Sequence, residues 1–258
     1  MLFYEDVGTI MKDVRGQYIW IIGASTGIGA ALAIALSQQG ANLILSARTE
    51  SQLQEVKAQL SGVNHQVLAF DISDYEQTVA AFKTIKRLDR VIFLAAVYQA
   101  SSKGRMDIAF IQQSLQVNIG GVYNLIEVVQ PFFESQDYGQ ISLCGSVAGY
   151  FGLPNSQPYS STKAAIMNLA ESLYVECKAK NIDVKLISPG FVNTPMTSQN
   201  DFDMPMIISA EEAAHAIIIG LKSKQFEVHF PKKFTILLKL LRLLPYSLSF
   251  KISNKLIK

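Results

Sequence analysis

The chain is poor in the features that mark several protein classes. It has two cysteines in 258 residues, Cys144 and Cys177, too few for a disulfide framework, so a reducing compartment is the default expectation. Charged side chains make up 17% against 49% hydrophobic, a balance that argues against disorder. Lys and Arg total 23 and Asp and Glu 21, a net charge of +2, so no overall field draws nucleic acid. No apolar run approaches the ~18 residues of a membrane span. Residues 1–16 carry Glu5, Asp6 and Asp13 without an apolar core, so no secretory signal is expected and a cytoplasmic location is. Met11 is a second candidate start, because patterning begins only at Gln17. One shortage is local. From Phe230 to Lys258 there is no acidic residue, while Lys232, Lys233, Lys239, Arg242, Lys251, Lys255 and Lys258 are basic, and the remainder carries a net −5.

What the chain has is alternation. Short apolar runs at 18–22, 42–46, 66–70, 90–95, 139–144 and 183–187 are separated by helix-period segments, with a seventh strand expected at 227–230. The helical segments are 30–39, 50–60, 75–86, 106–133, 160–180 and 210–222. Strands that do not alternate apolar with polar are buried on both faces. The expected fold is therefore α/β, a single doubly wound parallel sheet of about seven strands. Residues 17–230 form its catalytic domain, with an N-terminal extension at 1–16 and a basic tail at 231–258.

Two places carry chemistry. The first strand runs into Gly23-Ala-Ser25-Thr26-Gly27-Ile28-Gly29 at a helix entry. Glycines there allow a tight turn and bring a diphosphate close to backbone N–H groups. After the second strand stands Ala47-Arg48 rather than an acid. A guanidinium suits a ribose 2′-phosphate, whereas a carboxylate would repel it, so NADP(H) is expected over NAD(H). The second place is Tyr159-Ser-Ser-Thr-Lys163, thirteen residues after Ser146. Residues four apart share a helix face. An ammonium beside a phenol favours the phenolate and should lower the Tyr159 pKa from its usual ~10. Such a Tyr can pass a proton to a carbonyl oxygen or take one from an alcohol. Ser146 follows the fifth strand, at the edge where such sheets bind ligands, and can hydrogen-bond the reacting oxygen.

The Gly-x-x-x-Gly-x-Gly turn, Ser146 and the Tyr-x-x-x-Lys pair together resemble the short-chain dehydrogenase/reductase family over roughly residues 17–230. The resemblance implies a catalytic Ser146, Tyr159 and Lys163. It implies that Asn118, otherwise a polar residue inside a helix, holds a water linked to Lys163. It implies that Lys163 bonds the nicotinamide ribose, that Asp71 holds the adenine, and that the Val192 backbone and Thr194 anchor the nicotinamide end. Asp71 reads equally well as a turn cap. The chain departs from the family at Ile22, where Thr is usual, and at Leu94-Ala95-Ala96, where Asn-Ala-Gly is usual. An apolar pairing of Ile22 with Leu94 would compensate.

Phe191, Met196, Phe202, Met204 and Met206 either line the mouth for a lipophilic small-molecule carbonyl or alcohol, or simply pack a loop. In the tail, Lys232, Thr235, Lys239 and Arg242 make one polar stripe on a helix otherwise covered by Leu and Ile, which Pro245 should end. That pattern suits peripheral contact with an anionic membrane surface, or packing on the parent domain or on another subunit of a homo-oligomer. The reading is an NADP(H)-dependent oxidoreductase. The alternatives are a dinucleotide-binding sensor or membrane scaffold without turnover, and an extended-type epimerase, whose larger second domain is missing here.

Overall fold

A computed structural model describes residues 13–99, 107–152 and 155–253. Most of the 1–16 extension, Lys255 and Lys258 lie outside these. Seven parallel strands form one sheet in the order β3-β2-β1-β4-β5-β6-β7. They are β1 Tyr18–Ile22, β2 Asn42–Ala47, β3 Gln66–Ala69, β4 Arg90–Phe93, β5 Gly139–Cys144, β6 Ile182–Pro189 and β7 Glu227–Phe230. Successive side chains point to opposite faces. In β1, Trp20 and Ile22 join one core while Ile19 and Ile21 join the other.

One core is roofed by α1 (Gly27–Gln38), α2 (Glu50–Lys57) and α7 (Ala210–Leu221). Opposite lie α3 (Tyr75–Lys83), α4 (Ile108–Leu115), α5 (Gly121–Gln136) and α6 (Tyr159–Lys178), with the buried apolar positions of α5 and α6 in the second core. The segment expected as one helix from 106 to 133 is three pieces. A π-helical turn, Gln116–Gly120, joins α4 to α5 and buries Asn118. The apolar period is the same on both sides of such a turn, so the pattern does not betray the extra residue.

The strand order reverses between β1 and β4, which opens a crevice at the carboxyl ends of the strands. At the opposite end lies a buried polar network. Arg90 donates to Gln140 Oε1 (2.5 Å), to the Leu221 carbonyl (2.9 Å) and to Gln17 Oε1 (2.6 Å). Burial lowers its pKa to about 10.

The tail forms α8 (Lys232–Leu243) and α9 (Tyr246–Ser253), parted at Pro245 as expected. The polar stripe does not stay together on the outer surface. α8 packs on the α6 side of the sheet through Phe234, Thr235, Leu238 and Leu241, and two stripe residues turn inward to polar partners on β7. Lys239 Nζ reaches Glu227 Oε2 at 2.5 Å, and Thr235 Oγ1 lies 2.5 Å from His229 Nδ1. Packing on the parent domain thus accounts for one face of α8. Ile236, Leu237, Leu240 and Leu243 are left pointing outward.

Candidate active site

A cleft of about 370 Å³ runs across the carboxyl ends of the strands. At one end is the turn from Gly23 to Gly29. Gly23 has φ +92°, and a Cβ on Gly29 would stand 2.0 Å from the Gly23 carbonyl oxygen, so the turn closes only with hydrogen at that position. The turn leads into α1, whose first N–H groups are available to an anion. Arg48 lines the same end, exposed just past β2, with no partner among the described residues. Asp71 also lines the cleft, but its Oδ1 accepts from Ser73 N (2.9 Å) and Ser73 Oγ (2.7 Å). It caps that turn, while Asp74 is the residue that caps α3.

The other end holds Ser146, Tyr159 and Lys163 together. Ser146 ends the extended segment after β5, and its Oγ accepts from Ala148 N at 3.1 Å, which leaves its hydroxyl proton free to be donated elsewhere. Ser160 Oγ donates to the Ala148 carbonyl at 2.6 Å, which pins the start of α6 to the Ser146 turn. Lys163 is buried; its Nζ donates to the Cys144 carbonyl at 2.8 Å and lies 5.5 Å from the centre of the Tyr159 ring.

The expected lowering of the Tyr159 pKa is not what this geometry gives. Burial pushes the phenol well above its ordinary value, the nearby Cys144 adds to that, and hydrogen bonding with Ser146 opposes it only in part. The Lys163 ammonium lies over the ring and does not offset that burial. Burial also pushes the Lys163 ammonium down.

Asn118 lies behind the cleft, not in its wall. Its Oδ1 accepts from Val97 N (2.8 Å), and its Nδ2 donates to the Val97 carbonyl (3.0 Å) and Thr162 Oγ1 (3.1 Å). Both amide protons are used, so the side chain clamps the segment after β4 to α6. Ser25, Thr26, Gly27, Ile28, Val192 and Thr194 all line the cleft. The Thr194 N–H donates to Thr197 Oγ1 at 3.0 Å, which fixes the loop after β6.

A sequence profile described as short chain dehydrogenase matches residues 17–204. The chain belongs to that family. It is therefore an oxidoreductase of alcohol and carbonyl groups, in a family that uses nicotinamide cofactors. An uncharacterized oxidoreductase of Staphylococcus epidermidis is 31% identical over 215 residues, 82% of this chain and 93% of that one. A 7beta-hydroxysteroid dehydrogenase of Clostridium sardiniense is 30% identical over 204 residues, 77% of this chain and 78% of that one. Among solved structures, a short chain dehydrogenase from Burkholderia cenocepacia in complex with NADP superposes with a TM-score of 0.78 at 23% identity, covering 90% of this chain and 100% of that one.

Within this dehydrogenase two further expectations change. Ile22 and Leu94 meet only through the backbone, Leu94 N donating to the Ile22 carbonyl at 2.8 Å; their side chains belong to opposite faces of the sheet, so they do not compensate for the missing polar pair. Of the apolar mouth residues, Met196 lines the cleft. Phe191 packs between Phe202 (5.9 Å) and Phe234 (5.5 Å), while Phe202 and Met206 are half exposed. Tyr98, not foreseen, stacks edge-on against Tyr159 at 5.2 Å and donates to Asn200 Oδ1 at 2.6 Å. Only a fold that returns the segment after β4 to α6 reveals it; no local motif marks it.

Proposed function

We propose that the protein is an NADP(H)-dependent oxidoreductase for a lipophilic carbonyl or secondary alcohol, with Tyr159 as the general acid and base. One observation carries the reading: a single cleft has Arg48 and the glycine turn at one end and Ser146, Tyr159 and Lys163 at the other. That spacing of a phosphate-binding end and a proton-transfer end suits a dinucleotide lying between them. Arg48 supplies a paired donor set for a ribose 2′-phosphate. The glycine turn fits a diphosphate because it closes tightly enough, with no side chain at Gly29, to set the first N–H groups of α1 against the cleft.

NADPH, when bound, supplies the hydride. The rest falls to side chains of this chain. Burial favours the protonated Tyr159 phenol, which suits donation of its proton to the substrate oxygen during reduction and leaves the phenolate; in oxidation that phenolate takes the alcohol proton back. Ser146 donates its hydroxyl proton to the same oxygen and holds it in place. Lys163 spends one of its three N–H donors on the Cys144 carbonyl and keeps two for the phenol and the ribose edge of the cofactor. Asn118 acts at one remove, by holding the Tyr98 segment against α6. Met196 and the Phe191–Phe202 pair support an apolar substrate, and the hydroxysteroid dehydrogenase relative points to the same class.

The test is the purified protein against a panel of aliphatic, aromatic and polycyclic ketones and alcohols with NADPH and NADH, followed by nicotinamide absorbance. Turnover with NADPH on the larger apolar members is expected. Turnover confined to small polar carbonyls, or an NADH preference, would overturn the respective half of the reading.

A further inference from the structure

We infer that the outward face of α8 and α9 is a docking surface for an anionic lipid bilayer. The observation is an amphipathic helix with both its long sides apolar. One side, Phe234, Leu238 and Leu241, is buried on the domain. The other presents Ile236, Leu237, Leu240 and Leu243 at 49%, 60%, 56% and 79% exposure, and the next helix, α9, adds the exposed Leu248 and Phe250. Scattered apolar residues on a surface need no explanation, but four exposed ones on one face of a single helix do.

The Lys239–Glu227 and Thr235–His229 contacts fix which side faces inward. The outward side is therefore a feature of the docked helix and not of a loose tail. Charge decides among occupants. Lys232, Lys233, Arg242 and Lys251 are all exposed on α8 and α9, and no acidic side chain occurs from Phe230 to Lys258. A two-fold contact between copies would set this basic patch against itself. A bilayer with anionic headgroups offers both an apolar layer and the opposite charge. The contact would be peripheral, because no helix among the described residues is long and apolar enough to cross a membrane.

The proposal does not depend on the reaction catalysed. The test is flotation of the full chain with vesicles of phosphatidylcholine alone and of phosphatidylcholine mixed with phosphatidylglycerol. Two variants accompany it, Leu237→Gln with Leu240→Gln, and Lys232→Gln with Lys233→Gln. All four positions are exposed and outside the cleft, so thermal stability and turnover should match the parent and confirm folding. The parent should float with the mixed vesicles, and less so at high salt. The leucine variant should lose partitioning at least about tenfold, as expected for withdrawing two buried Leu side chains. The lysine variant should lose the preference for anionic lipid. Failure of the parent to float, or equal flotation of parent and leucine variant, overturns the proposal. So does a concentration-dependent dimer in sedimentation that the leucine variant abolishes while lipid has no effect, an outcome that would assign the face to a second copy.

Discussion

Replacing Tyr159 by Phe removes one hydroxyl and keeps the ring that packs against Tyr98. Turnover should fall by about 10²–10⁴-fold, the usual reach of a general acid, while NADPH binding, followed by fluorescence titration, persists. Retained turnover would assign the proton to another group. Arg48→Asp should weaken NADPH by about 10–100-fold relative to NADH, since charge-assisted bonds are lost and a repulsion is added. The ratio of kcat/KM for the two cofactors reads it directly, and an unchanged ratio would make Arg48 a bystander. At this scale the sequence was legible where residue type and position reinforce each other. The glycine turn, Ser146, Tyr159 and Lys163 all stand in the cleft where their spacing put them. Tyr98 and the inward bonding of Asn118 were not legible, because they depend on side chains 61 and 44 residues away meeting in space.

Elements show what periodicity can and cannot say. A helical wheel of the tail finds the polar stripe but not the side that docks, because α8 has apolar residues on both flanks. The choice was made by Glu227 and His229 on β7. Those anchors make the attachment of α8 sensitive to acid. Burial alone would raise the Glu227 pKa, but bonds from Lys239 and Tyr150 outweigh it and hold the carboxyl below its ordinary value. Burial, aided by Lys239 and Lys232, holds His229 below its own. Both folded values are depressed, so the unfolded or detached state binds protons more readily and attachment is complete above the unfolded pKa values, ~6.5 for His and ~4.3 for Glu. Stability is lost as pH falls through the lower folded values. Hydrogen exchange of the α8 amides, corrected for intrinsic rate, should therefore quicken relative to the β1 amides as pH falls from 7, first through His229 below about 6.5 and then through Glu227 below about 4.3. A constant ratio would mean the anchors carry no weight.

For the molecule as a whole, the parallel sheet separates two tasks. Its carboxyl edge holds the chemistry and its amino edge holds the network around Arg90. Arg90→Leu withdraws a buried donor from Gln140 and from the Leu221 carbonyl, at a cost of about 2–4 kcal/mol. Urea unfolding should show a lower midpoint while the folded variant keeps its NADPH affinity. A lost affinity at unchanged stability would mean the two edges are coupled. The doubly wound architecture and six of its seven strands were readable from the apolar runs, since strands buried on both faces cannot hide their composition; β7, Glu227–Phe230, alternates buried and half-buried residues and was the weaker signal. The seat of α8 has one more consequence. Phe234 covers Phe191, and Lys239 completes the bond pattern around Glu227 and Tyr150, four residues beyond Ser146. Translation delivers α8 after every residue that lines the cleft, so a nascent chain can close its sheet while Phe191 stands bare and Glu227 waits for its cation. A chain lacking α8 would therefore leave Phe191 uncovered and Glu227 without its cation, beside a reaction centre that α8 itself never enters.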